Sequence, residues 1–231
     1  MKSHVLIIGE EHFAPEHHEE ELEIIQGLYN KGDLICVAIE FVEIKNQKYL
    51  DDYLSGKLPE KRFEKLWDKW WWEFSYYKNI LNFCKDNQIP MLAADDRSNK
   101  YKKERKECHD VFMAISKEHQ TKAEKMGMSY LLSDESKKLL AKRREITAKI
   151  NELIELNIDY KNNFISNVIQ DYLKGKGGTL ILLIGAIHGS PIESNLKKMN
   201  IHVEFKKLKI TTERREELIK KTVESRKSVV V

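Results

Sequence analysis

Cysteine is scarce in this sequence: Cys36, Cys84 and Cys108 are its three, and none stands in a C-x-x-C pair. An odd, scattered set reads as free thiols in a reducing compartment, not as a disulfide framework. Glycine and proline are also few, 10 and 4 in 231 residues, which together with the high lysine and glutamate content suits a helix-rich and heat-tolerant chain. Neither sign of charge dominates: 40 Lys and Arg face 37 Asp and Glu, and the signs are interspersed. That excludes the segregated basic stripe of a nucleic-acid binder. No apolar run reaches the length of a signal peptide or a membrane span, so the expectation is a cytoplasmic protein without a membrane partner. A dinucleotide or P-loop site is excluded too. "IIGEEH" lacks the run of glycines that cradles a pyrophosphate, and the acidic helix start after it would repel one. No G-x-S-x-G elbow is present, and Ser190 in "LLIGAIHGS" does not stand on such a turn.

What is present follows the pattern of an α/β sheet. Strand-like runs cover 4–9, 34–41, 89–95, 179–185 and 201–208, several of them apolar almost throughout, as strands covered on both faces are. A helix is expected from Pro15, with acidic residues in its first turn and Leu22, Ile25, Leu28 and Tyr29 on one face. Residues 100–175 carry no strand signal. There Ser133 is a plausible helix N-cap, and Leu139, Ile146, Leu153 and Tyr160 recur at seven-residue spacing with Ile150 among them. With "MGMS" (126–129) as the break, residues 100–160 read as a helical hairpin. The expectation is a mostly parallel central sheet flanked by helices, one domain over 1–231, with the helical insertion between the third and fourth strands. The insertion could cap a site, join two copies in a homodimer or simply pack. The charged tail, "TTERREELIKKTVESRKS", reads as a solvated helix.

Ligands of α/β sheets bind outside the carboxyl ends of the strands. Four runs deliver ionisable groups to that edge: "GEEH" brings Glu10 and His12, "AIEF" brings Glu40, "AADDR" brings Asp95, Asp96 and Arg97, and "GAIHGS" brings His188. Gly9 and Gly185 each stand three residues before a histidine, where a glycine permits a sharp turn or a close approach. Two imidazoles and a carboxylate make a first shell for Zn²⁺, Mn²⁺, Fe²⁺ or Co²⁺ with positions left for water or substrate. The expected ligands are His12, His188 and Glu40. His17 in the following helix is carried as a further ligand, while its neighbour His18 is read as part of an exposed helix start. Glu10 and Glu40 are candidates for acid–base work, and Arg97 for stabilising an oxyanion. The aromatic run "LWDKWWWEFSYY" places Trp67, Trp70 or Trp71, Phe74 and Tyr77 on one helix face, as core packing or as the wall of a ligand pocket.

"LIIGEEHFAPEHHEEE", "VAIEF", "YLDDYLSGKL", "LWDKWWWEFSYYKNILNFCKDNQIPMLAADDR" and "LILLIGAIHGSPIESNLKK" resemble the ChaN-like haem-uptake proteins, over roughly 4–97 and 179–198. That family is similar to the Tiki and TraB proteins and the erythromycin esterases. The resemblance implies that Gly9, Glu10, His12, Glu40, Gly185 and His188 are the shared signature, and that the function is either a metal-dependent or Glu/His hydrolase or haem binding. Two departures accompany it. The lipoprotein signal expected of a surface haem carrier is missing, and Asn162 or Asn163 stands where the helix before the last motif usually begins with arginine. Three functions follow as expectations. The first is a cytoplasmic metal-dependent hydrolase acting on a small-molecule or peptide substrate. The second is a haem-binding protein, and the third is an inert scaffold whose insertion binds a protein partner.

Overall fold

The computed structural model describes residues 2–67, 74–96 and 101–228. Five strands, β1 (Ser3–Glu10), β2 (Leu34–Glu43), β3 (Met91–Asp95), β4 (Gly178–Gly185) and β5 (His202–Lys207), form one sheet in the order β3-β2-β4-β1-β5. Every pairing is parallel. The continuous apolar runs read from the sequence are therefore strands covered on both faces. Parallel neighbours need crossovers, and helices provide them: α1 (Pro15–Asn30) follows β1, and α2 (Gln47–Leu54), α3 (Glu60–Trp67) and α4 (Phe74–Asp86) lie between β2 and β3. The third strand begins at Met91, two residues later than the apolar run suggests. Ile89 N–H closes the preceding helix on Cys84 C=O, and Pro90 has no N–H to give to a ladder.

The described chain divides into two compact units, 1–97 with 162–231, and 98–161. The second is the helical insertion between β3 and β4: α5 (Lys102–Met126), the short α6 (Met128–Leu131) and α7 (Asp134–Leu173), which belongs to the first unit from Asn162 onward. Gly127 breaks the helices at φ +61°, a backbone that glycine adopts without a steric cost. Ser133 caps α7, its Oγ accepting from Ser136 N–H at 3.1 Å. Replacing Ser133 by alanine is expected to cost about 1 kcal/mol of stability. Denaturant unfolding of the S133A variant checks this, a midpoint equal to the parent's counting against the cap.

Strand alternation sorts the first unit into two cores. Ile8, Val37, Ile39, Ile181 and Leu183 face α1 and the α2–α4 helices, where Ile25, Leu50, Trp67, Tyr77 and Leu81 are buried with them. Val5, Ile7, Cys36, Ala38, Leu180, Leu182 and Ile184 face the other way, against Ile165, Ile169 and Leu173 of α7 and Ile192 and Leu196 of α8 (Ala186–Lys198). β1 thus hands the chain to α1 on one face, while its neighbour β4 hands it to α8 on the other. Two adjacent strands whose connections leave towards opposite faces open a crevice at their carboxyl ends, where α/β sheets bind ligands. The chain closes with α9 (Thr212–Ser228), tied to the start of α1 by Arg214–Glu16 and to Glu11 by Arg215.

Candidate functional site

Glu10 is the last residue of β1 and pairs in register with Gly185, the last of β4. Its parity with Ile8 turns the carboxyl towards α1 and α4. Glu40 has the parity of Cys36 and Ala38 and turns towards α7 and α8. His12, two residues beyond β1, stands at the edge between them. The two glutamates therefore reach the carboxyl edge from opposite faces of one sheet.

On the α8 side, Glu40 Oε2 accepts Gly185 N–H at 2.7 Å and lies 4.0 Å from His12 Nε2. Glu40 Oε1 lies 3.4 Å from His188 Nε2. Asn162 Oδ1 accepts from His188 Nδ1–H at 2.6 Å, which leaves Nε2 of a neutral ring as a lone pair on the Glu40 side. Glycine at 185 lets the two side chains come close: a Cβ there would stand 3.0 Å from His12 Nε2, tight enough that the ring would have to shift, and 3.5 Å from Glu40 Oε2. Gly9 serves a different contact, since its Cβ would meet the Phe205 ring at 2.6 Å.

On the α1 side, His12 Nδ1–H donates to Glu10 Oε1, and Tyr77 O–H donates to the same oxygen at 2.7 Å. In its neutral form His12 thus also presents Nε2 as a lone pair. Burial opposes the charged form of His12, but the hydrogen bond and charge of Glu10, then the charge of Glu40, outweigh it and raise its pKa. Burial, then the charges of Glu10 and Glu21, raise the Tyr77 phenol well above its ordinary value, so it stays a donor. Glu10 and Glu21 are both buried. Burial and the charge of Glu10 push Glu21 well above the usual carboxylate range. Burial would do the same to Glu10, yet hydrogen bonds from Glu21, His12 and His18 hold it well below.

Four of the residues expected at the site, Glu10, His12, Glu40 and His188, are linked by these contacts. His17 is not among them: its Nδ1 accepts Glu11 N–H at 2.9 Å, tying the loop to the start of α1. His18, read from the sequence as exposed, is buried instead. Its Nδ1 lies 3.0 Å from Glu21 and 3.3 Å from Glu10, and its Nε2–H donates to His12 C=O at 3.1 Å. The reason is helical phase. His18 continues the Leu22, Ile25, Tyr29 stripe backwards by one turn, so a signal for it was available. Glu21 is a further member of the cluster that was not singled out from the sequence, which named Tyr77 only within the aromatic run and Asn162 only as a departure from arginine. Glu21 follows His18 at i+3, and Asn162 is the departure from arginine already noted. Asp95 is buried at the end of β3, with Asp96 half-buried beside it. Arg97, Trp70 and Trp71 lie outside the described residues. Trp67, Phe74 and Tyr77 are core, packed on one another and on Phe41.

Cys36 and Cys84 are buried. Burial pushes the Cys36 and Cys84 thiols up to about 12, so neither supplies a thiolate at neutral pH. Among the described residues no helix is long and apolar enough to cross a membrane.

The family described as "Haem-binding uptake, Tiki superfamily, ChaN" matches residues 1–192. No curated protein matches the chain. Among solved structures, "Cofacial heme binding to ChaN of Campylobacter jejuni" is similar over 89% of this chain and 81% of that one, with 16% identity and a TM-score of 0.53. "The structure of the type III effector HopBA1" aligns over 78% of this chain and 65% of that one, at 13% identity and a TM-score of 0.41. The first likeness is one of fold. The match over 1–192 takes in β1 to β4, the start of α8 and every residue of the Glu/His cluster, and on it the chain belongs to the ChaN-like haem-binding uptake family of the Tiki superfamily.

Proposed function

We propose that the chain is a metal-dependent hydrolase of peptide or ester bonds, with its reacting centre at His12, Glu40 and His188. One observation carries this reading. Each of the two imidazoles has its Nδ1–H committed to a protein acceptor, on Glu10 and on Asn162, and each turns Nε2 towards a carboxylate oxygen of Glu40. Two imidazole lone pairs beside one carboxylate are the donor set of a Zn²⁺, Mn²⁺, Fe²⁺ or Co²⁺ site. Such an ion, when bound, supplies Lewis acidity, which polarises a carbonyl and lowers the pKa of water towards about 7.

The chain's own residues supply the rest. Gly185 N–H fixes the Glu40 carboxylate, which is placed either to hold the ion or to take a proton from an attacking water. Glu10 stands behind His12, so its part is to hold Nδ1–H and the ring plane, assisted by Tyr77. The oxyanion role of Arg97 rests on its position after β3 in the sequence.

Haem binding is the second reading, favoured by the family and by the haem-bound ChaN of Campylobacter jejuni. The donor set accommodates it in one respect: His12 keeps 21% of its side chain exposed, with Nδ1–H on a carboxylate as a good axial donor has. Haem would supply a redox-active iron and a flat apolar face there. Among the described residues of the aromatic run, Trp67, Phe74 and Tyr77 are spent on the core.

Metal analysis of the purified protein with a haem titration separates the two. Bound metal without a Soret shift, and ester or peptide hydrolysis lost in EDTA, are the expected results. A stoichiometric Soret shift in a protein free of other metal establishes the haem reading instead, and full hydrolysis in chelator rejects the first.

A further inference from the structure

Behind His12 lies a second convergence of acceptor atoms that the reaction above does not use. His18 commits Nε2–H to the His12 carbonyl, because a carbonyl can only accept. Its Nδ1 points at Glu21 Oε2, 3.0 Å away, and Glu10 Oε2, 3.3 Å away. One ligand atom from each of Glu10, His18 and Glu21 lies within 4.8 Å of the other two. The residues are 2%, 4% and 0% exposed. Tyr77 and His12 both serve Glu10 Oε1, which leaves the buried Oε2 to Glu21 and His18, while the buried Glu21 Oε1 has no hydrogen-bond partner. Among the described residues no lysine or arginine pairs with either glutamate. Two carboxyl groups and an imidazole nitrogen buried together are unfavourable as two carboxylates unless a proton or a cation sits among them.

We infer that Glu10, His18 and Glu21 form a second, interior site for a divalent transition-metal ion of the Mn²⁺ or Zn²⁺ class. The charges match, two carboxylates and a neutral imidazole around a dication, and mixed carboxylate–imidazole donors suit those ions. Glu10 then links the two centres, with Oε2 towards the interior ion and Oε1 holding His12 Nδ1–H. Occupancy behind would fix the ring that serves the front. The simpler occupant of the same space is a proton shared by the two glutamates, and it is the reading that the test must beat.

The protein, loaded with Mn²⁺ or Zn²⁺ and freed of excess, is expected to carry two ions per chain by mass spectrometry. Glu21→Gln keeps the volume and removes one charge, and it should carry one ion, as should His188→Ala through the other centre. A single ion in the parent that Glu21→Gln keeps and His188→Ala loses overturns the inference and leaves the hydrolase reading standing. A single ion lost in Glu21→Gln and kept in His188→Ala supports the inference and removes the hydrolase reading. Should Glu21→Gln fail to fold, anomalous diffraction from parent crystals soaked in Zn²⁺ decides: a peak between Glu10, His18 and Glu21 supports the site, and its absence there overturns it.

Discussion

His188→Ala is expected to release the ion of the front centre and, with it, at least about 10³-fold of any hydrolytic activity, because a missing ligand removes the Lewis acid as well as its geometry. The variant should fold. His188 lies in the first turn of α8, and the helix is anchored by Ile192 and Leu196 beyond it. Asn162→Ala separates positioning from ligation. It leaves all three donors in place and removes only the acceptor for His188 Nδ1–H, so metal affinity should fall by roughly 10–100-fold. Metal titration with circular dichroism on both variants checks the pair. Unchanged metal content in a folded His188→Ala protein would remove the proposed centre.

The sheet was legible in the sequence because its strands are buried on both faces, so each appears as an unbroken apolar run with a marked end. The same applies to α1, where Pro15 marks the start and "NKGD" the stop. Strand order is another matter. Nothing in "TLILLIG" says that it lies between the first two strands, because pairing is set by distant packing and not by local pattern. The carboxyl-edge rule nevertheless placed Glu10, His12, Glu40 and His188 together, since it needs only that the strands be parallel. It could not tell which glutamate faces which side. That follows from parity within each strand, Ile8 with Glu10 and Ala38 with Glu40, once the two cores are known. His17 and His18 are both buried, so phase with Ile25 marks His18 as facing the Glu10–Glu21 side, whereas His17 is set apart by spending Nδ1 on Glu11 N–H. The aromatic run was ambiguous between wall and core. Trp67 and Tyr77 resolve it by packing on Phe41, one residue beyond Glu40, with Phe74 packed on Trp67.

That packing makes Trp67→Ala the substitution with the largest expected effect on stability. Trp67 is 2% exposed, and its ring centroid lies 5.4 Å from Phe41, 5.8 Å from Phe63 and Phe74, and 5.7 Å from Tyr77. Truncation leaves a cavity bounded by rigid rings that cannot collapse into it, so a loss of about 3–5 kcal/mol is expected. Against a total stability of about 5–15 kcal/mol for a domain, that is a large share. For a chain of this length each 1 kcal/mol corresponds to roughly 2–4 °C, so the melting temperature should fall by about 10 °C or more. Trp67→Phe keeps an aromatic face against the same neighbours and should lose much less. The effect should also reach the Glu/His cluster, because Phe41 and Tyr77 line the cavity and Tyr77 O–H holds Glu10. Metal affinity in Trp67→Ala should accordingly drop even at temperatures where the variant is folded. Unfolding curves with metal titrations at 15 °C check both parts. A melting temperature within a degree or two of the parent's would mean that the aromatic cluster does not support the sheet edge on which the proposed chemistry depends.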